Sequence, residues 1–234
     1  MFLRRSVLIL SIAVTGSLAF AASAFGAGGM GPGNYSLSSQ SADAFFGMNA
    51  KGGPPAASWS VSVNEGLNSF KPRGSGEPTV LHSTTVYVAE FDAAGNGGYG
   101  CFVVPDSAFT VSRDLSSASL HATLTADEIC DGYATPVGGK AVTFAGGAGG
   151  GLALPITVNV TWSARTATTT NTDAFTFRCL NFDEHGDSTF KSVQASASGS
   201  ITALPGTFSA DYTSIASGSS QLHINALYPQ ACYA

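Results

Sequence analysis

The densest group of reactive side chains in this chain is Asp183-Glu184-His185-Gly186-Asp187. Carboxylates at 183 and 187 are hard oxygen donors of the kind Ca²⁺ takes in loops of exported proteins. The D-x-x-x-D spacing lacks the alternating ligands and the bidentate Glu of a dedicated calcium loop. A solvated turn is therefore the expectation here, with Asp183 and Asp187 as weak candidates for Ca²⁺ and no other cofactor expected. Asp127-Glu128 is a second acidic pair. A glycosidase needs its two carboxyl groups about 5–10 Å apart and facing one cleft. Adjacent residues on a strand point to opposite faces, so this pair reads as structural. His121 and His223 both fall on polar faces by parity. On neighbouring strands they would make a two-imidazole surface site, and otherwise they are solvated surface.

Gly186-Asp187-Ser188 shares its G-D-S with the nucleophile segments of trypsin-like serine proteases and GDS-type esterases. The likeness covers three residues. Thr189 and Phe190 stand where the protease pattern has two glycines, and His82 sits in Leu-His-Ser-Thr. No G-x-S-x-G elbow is present. No catalytic residue is assigned on this basis, and an enzyme is not the expectation.

Cys101, Cys130, Cys179 and Cys232 are the four cysteines. An even number in an exported chain implies two disulfides. Three pairings exist, and Cys101–Cys130 with Cys179–Cys232 is expected, because each joins sequence neighbours. Each closed loop would contribute about 3–4 kcal/mol in the chain-entropy picture. The cysteines have no C-x-x-C spacing and no interleaved histidines, so a zinc site is not expected.

The beginning of the chain points to an oxidising compartment. Arg4 and Arg5 precede a mostly apolar run from Ser6 to Phe20, and Ala22-Ser23-Ala24 follows with small-x-small spacing. That order reads as a secretory signal peptide over residues 1–24, cut after Ala24. The run is short for a bilayer span of ~20 residues. Removal of Arg4 and Arg5 leaves 8 basic against 15 acidic residues, with no basic block. This balance excludes nucleic acid as the expected partner. No membrane insertion is expected after cleavage. The expected location is secreted, extracellular or periplasmic, with an extracellular protein or a glycan as the class of partner.

The elements that must carry these side chains are strands. Residues 25–57 are punctuated by Gly28-Gly29, Gly31-Pro32-Gly33, Gly52-Gly53 and Pro54-Pro55, and read as a flexible arm. Residues 58–234 read as the folded body. Trp59, Val61 and Val63 alternate with Ser58, Ser60 and Ser62. Ile156, Val158, Val160 and Trp162 alternate with Thr157, Asn159, Thr161 and Ser163. Ala118 to Leu124, Val193 to Ile201 and Leu222 to Ala226 repeat the pattern. Such segments have one greasy and one wet face, as antiparallel strands do. No segment holds a helical period over three turns. The expectation is all-β: a single antiparallel β-sandwich, jelly-roll or Ig-like, stabilised by disulfides.

With 11% charged residues and 44% hydrophobic ones, the chain has enough apolar material for a core. Its exported, Ser/Thr-rich, strand-dominated look resembles that of uncharacterised bacterial secreted proteins, which carries no activity. A non-enzymatic binding or structural module is the expected function. A secreted hydrolase and a carbohydrate-binding module, with Tyr87, Tyr99, Tyr133, Tyr212 and Tyr228 as candidate stacking residues, are the alternatives. A pilin-like surface subunit is weaker still, on the echo of Tyr233 and the strand from Gln221 to Tyr228. N-terminal sequencing of the exported protein should begin at Phe25 or within a few residues. A membrane-lodged product starting at Met1 would contradict the cleavage site.

Overall fold

The structure is a computed structural model. It describes residues 32–49, 55–72, 77–92, 97–126, 130, 134–136, 142–144, 152, 154–179, 182–202, 208–210 and 212–224. The strands are β1 (Gly33–Asn49), β2 (Pro55–Pro72), β3 (Thr79–Asp92), β4 (Gly97–Val104), β5 (Phe109–Val111) and β6 (Ser117–Leu124). They continue with β7 (Ala134–Pro136), β8 (Val142–Phe144), β9 (Ile156–Ala164), β10 (Thr169–Cys179), β11 (Phe182–Ile201), β12 (Phe208–Ala210) and β13 (Tyr212–Ile224). One short 3₁₀ turn, Asp106–Ala108, joins β4 to β5. Among the described residues no helix is long and apolar enough to cross a membrane.

The chain is all-β and antiparallel, as its alternating segments require. The strands do not divide into the two stacked sheets of a sandwich. One eleven-stranded sheet runs β4-β3-β2-β1-β13-β11-β9-β6-β5, with β10 and β12 also paired to β11; β7 and β8 form a separate ribbon. The physical reason lies in β11. Glu184 to Gln194 pair with β13, and Ala195 to Ile201 pair with β9. A single 20-residue strand thus welds what would otherwise be two layers.

This sheet must curl. Nine strands lie on the path, and at ~4.8 Å per spacing a flat sheet would part β4 from β5 by ~38 Å. Yet Val104 and Phe109 are five residues apart, a reach of at most ~18 Å. Cys130, beyond the end of β6, also meets β4. It forms a disulfide with Cys101 at a Cα–Cα distance of 5.4 Å, and its N–H donates to the Cys101 carbonyl at 3.0 Å. The expected Cys101–Cys130 bridge is therefore present. The Cys179 side chain and all of Cys232 lie outside the described residues, as do Asp127 and Glu128.

Curling encloses one core. Phe46, Trp59, Val61, Val63, Val86 and Phe102 on one side meet Leu120, Ile156, Val158, Val160 and Trp162 on the other, all nearly or fully buried. The Trp162 indole N–H donates across this core to the Asp43 carbonyl at 2.9 Å. Gly199 sits opposite Val160, where a Cβ would come 2.1 Å from the Asn159 carbonyl oxygen. Only glycine allows β11 to lie so close to β9.

Residues 33–49, assigned to a flexible arm on sequence grounds, instead form β1, a strand near the middle of the sheet, paired along its length with β2 and β13. The physical reason is a change of buried face. Tyr35 and Leu37 are buried on one side of the strand, and Ala42, Ala44 and Phe46 on the other. Strand β13 does the same, with Leu222 and Ile224 buried on one face and Ile215 on the other. Tyr35 pairs with Leu222, and Ala42 with Ile215, so the two strands change sides together.

Trp162 is 1% exposed, whereas its neighbour Thr161 faces outward. Trp162→Ala should cost about 3–5 kcal/mol. Thr161→Ala should cost under about 1 kcal/mol, the usual scale for surface changes. Urea melts of both variants check the contrast, and equal midpoints would mean the faces are misassigned.

Candidate functional site

A strand that buries one face over half its length leaves the opposite face wet over that half. Where Tyr35, Leu37, Leu222 and Ile224 are buried, the reverse side of β1 and β13 carries polar alternates, and β2 adds one exposed apolar residue, Leu67. Registers place His185, His223, Asn34 and Lys71 in one row across β11, β13, β1 and β2. The next row is Asp187, Gln221, Ser36 and Ser69. Thr189, Ser219, Ser38 and Leu67 follow, then Lys191, Ser217, Gln40 and Glu65. Four strands at ~4.8 Å and four rows at ~6.6 Å make a plate on the order of 15 by 20 Å.

Cross-strand hydrogen bonds hold this plate in place. The Gln221 amide Nε2 donates to Ser36 Oγ at 2.8 Å, and Ser38 Oγ donates to the Leu67 carbonyl at 3.2 Å. His223 Nδ1 is hydrogen-bonded to Asn34 Oδ1. The His185 and His223 rings lie 4.9 Å apart, centroid to centroid, at a 49° tilt.

His82 closes the far margin. Its Nε2 is 2.8 Å from Glu65 Oε1, and its Nδ1 is 2.8 Å from Asp106 Oδ2. The other Asp106 oxygen accepts from the buried Thr84 hydroxyl at 3.0 Å. Asp106 belongs to the turn that bridges β4 and β5, so His82 and Thr84 fasten that bridge to β3. Both ring nitrogens of His82 face carboxylates, and no serine stands on either. A nucleophile–base pair of the hydrolase kind requires one.

The residues singled out in the sequence are distributed differently from expectation. Asp183 to Asp187 do not form a turn: they lie within β11, extended and paired with β10. Four strand steps separate the backbones of Asp183 and Asp187 by ~13 Å. The side chain of Asp183, one of the two weak Ca²⁺ candidates, lies outside the described residues. Ser188 pairs with Asp173 and Ser220. It points to the face opposite His185, which parts the G-D-S serine from the nearest imidazole. His121 lies on β6, away from β13, and its Nδ1 bonds Asn159 Oδ1 at 2.9 Å. The partner of His223 is His185, a pair that parity alone does not reveal. Of the tyrosines, Tyr87 shares a row with Ser62, Asp43 and Ser214 on the other side of the sheet. The side chains of Tyr99 and Tyr212, and all of Tyr133 and Tyr228, lie outside the described residues. Among the described residues no three His, Cys, Asp or Glu side chains converge as a metal-binding group.

Neither the known protein families nor the curated proteins contain a match to this chain. Among solved structures it is similar to a Nitrosomonas europaea protein provisionally designated AttH, at 7% identity and a TM-score of 0.30. The likeness covers 85% of this chain and 53% of that one, so the chain spans about half that protein's length. So slight a likeness carries neither fold nor function.

Asp43 offers a test of the packing behind the plate. Desolvation by burial raises its carboxyl above the ordinary value of 3.8, and hydrogen bonds from Ser62 and Ser214 pull the other way. Ser214 Oγ donates to Asp43 Oδ2 at 3.2 Å. With the folded value above the unfolded one, this acid's contribution to stability is whole below about pH 3.9. It is lost as pH rises through the folded value, so at neutral pH the ionised group burdens the fold. Asp43→Asn keeps an acceptor for both serines. Thermal melts should show it more stable than the parent at pH 7, with the difference gone at pH 3. A variant less stable at pH 7 would contradict the buried-charge reading.

Proposed function

We propose that the mature chain is an exported, non-enzymatic binding module whose working surface is the polar plate on β2, β1, β13 and β11. The observation that carries this reading is the plate itself. It presents rows of uncharged hydrogen-bonding groups — Asn34, Ser36, Ser38, Ser219 and Gln221 — on a rigid sheet, with donors and acceptors at fixed spacing. Groups built on strands hold their geometry better than groups on loops. A hydroxyl-rich ligand matches such a surface, because each sugar hydroxyl both donates and accepts. An extracellular glycan is the ligand class that fits.

Export is supported by Arg4-Arg5, the apolar run and Ala22-Ser23-Ala24, and the Cys101–Cys130 bridge suits an oxidising compartment. The non-enzymatic reading is supported by the separation of Ser188 from His185 and by the two carboxylates that occupy His82.

The test is depletion from solution by insoluble polysaccharides of differing chemistry: cellulose, chitin and peptidoglycan. The mature chain should be retained by at least one. The double variant Ser36→Ala, Gln221→Ala should lose retention roughly tenfold, as expected when two hydrogen-bonding groups are removed from a ligand's path. Both positions are at the surface, so the fold should survive. Retention by none of the three, or equal retention of parent and variant, would overturn the reading.

A further inference from the structure

Strands β9 and β10 follow one another along β11. Ala164 at the end of β9 opposes Ala195, and Thr169 at the start of β10 opposes Ser192. The far edge of β9 is covered by β6 up to that point, where Ser117 opposes Ser163 and the Ala164 N–H donates to the Ser116 carbonyl at 2.9 Å. The far edge of β10 has no such cover: among the described residues this 11-residue strand pairs with β11 alone. Every second residue of an antiparallel strand aims its N–H and C=O at one edge, so β10 presents a row of open backbone donors and acceptors ~36 Å long.

Both faces of β10 are open as well. Each side chain from Thr169 to Ala174, and that of Thr176, is exposed. Natural sheets guard such an edge with Lys, Pro, a bulge or a covering segment. From Thr169 to Cys179 there is no Lys, Pro or Gly, and the pairing with β11 runs without a register shift. The other sheet edges are short or partly occupied. β5 and β12 have three residues each, and at β4 the Cys130 N–H already takes the Cys101 carbonyl.

We propose that β10 is a docking edge for β10 of a second copy of this chain, paired antiparallel about a two-fold axis. An antiparallel edge is complementary to itself under that symmetry, since residue i faces j and j faces i. With Ala174 on the axis all eleven residues overlap. Thr172 then opposes Thr176 of the other copy, twice, and threonine pairs across strands stabilise a ladder. The strand carries one charge of each sign, Asp173 and Arg178. In this register they oppose Phe175 and Thr170, so no like charges meet head on, and a neutral edge offers a highly charged peptide no advantage. Thr172 and Thr176 share rows with Thr189 and His185 of the polar plate. The two-fold axis stands perpendicular to the sheet, so pairing lays two plates side by side on one face. A contact one strand wide is at the small end of protein interfaces, which makes the association reversible, half-complete on the order of 100 µM chain.

The experiment is sedimentation of the mature chain without polysaccharide, from about 5 µM to about 1 mM, with amide exchange measured at both ends of the range. The mass should rise from one chain to two, and β10 amides should gain protection with the same concentration dependence. Thr172→Lys with Thr176→Lys sets like charges opposite each other in the pair and should weaken dimerisation at least tenfold. Thr172→Lys with Thr176→Glu sets opposite charges there and should dimerise at least as strongly as the parent. Thr161→Lys, on β9 with both edges already paired, should behave as the parent does. All three sites are at the surface, and thermal melts at low concentration should match the parent. A single-chain mass throughout overturns the proposal. So does equal dimerisation of the double-Lys variant and the parent, or failure of the charge-matched variant to dimerise. Full protection of β10 amides at the lowest concentration would also overturn it, since another segment of the same chain would then cover the edge. No polysaccharide enters this assay, so the glycan reading and the docking edge fail separately.

Discussion

Strand β11 exchanges β13 for β9 partway along its 20 residues, and the architecture hangs on that exchange. Up to Gln194 it belongs to the layer of long strands. From Ala195 it belongs to the layer of β9 and β6. Because the ladder is unbroken across the change, the two layers cannot slide or separate as the sheets of a sandwich can. Gly199 makes the exchange possible by admitting the Asn159 carbonyl where any side chain would clash. The core between the layers then needs only one greasy face from each strand, and Val193, Ala195, Ala197 and Ile201 supply it from β11 itself.

The polar plate follows from the same geometry. Strands of 13 to 20 residues are longer than the core they line. Beyond the core they bury the opposite face, through Tyr35, Leu37, Leu222 and Ile224. The alternation of side chains then forces Asn34, Ser36, Gln221 and His223 into the open together. The plate is thus a by-product of strand length and parity, and its chemistry is whatever residues the chain places on that parity. The histidine pair, the Gln221–Ser36 bond and the His82 clasp are all cross-strand contacts of this kind.

How much of this was legible in the sequence depended on parity being constant within a strand. In β9, Ile156 to Trp162 keep one parity and all four are buried, as the alternation implied. The Cys101–Cys130 bridge was legible because the two lie close in sequence, across strands that return on each other. Strand β1 was not legible. Its buried residues are odd up to Leu37 and even from Ala42, with serines between, so no single period runs through it. Asp183 to Asp187 were misread for a related reason: polar residues and a glycine on both parities look like a turn, and here they are a strand end held by ladders on both sides. The His185–His223 pair was out of reach because register across 38 residues is fixed by the ladder, not by either segment alone.

The two strands at the middle of the sheet come from opposite ends of the chain. Ser36 pairs with Gln221, 185 residues away. Contacts of such separation form late, because the loop they close must first be ordered. A chain delivered from its N-terminus, whether from the ribosome or through a narrow channel, holds β1 without its β13 neighbour until Tyr212–Ile224 has emerged. Up to that moment β1 has only the hairpin with β2 to shelter one of its edges. The open edge is a length of unpaired backbone, the usual starting point for wrong pairings between chains. The serines and glutamine from Ser38 to Ser41 occupy that interval with side chains that water already satisfies. Polarity at the centre of the strand therefore acts in time as well as in space: it keeps the waiting edge soluble until its partner arrives.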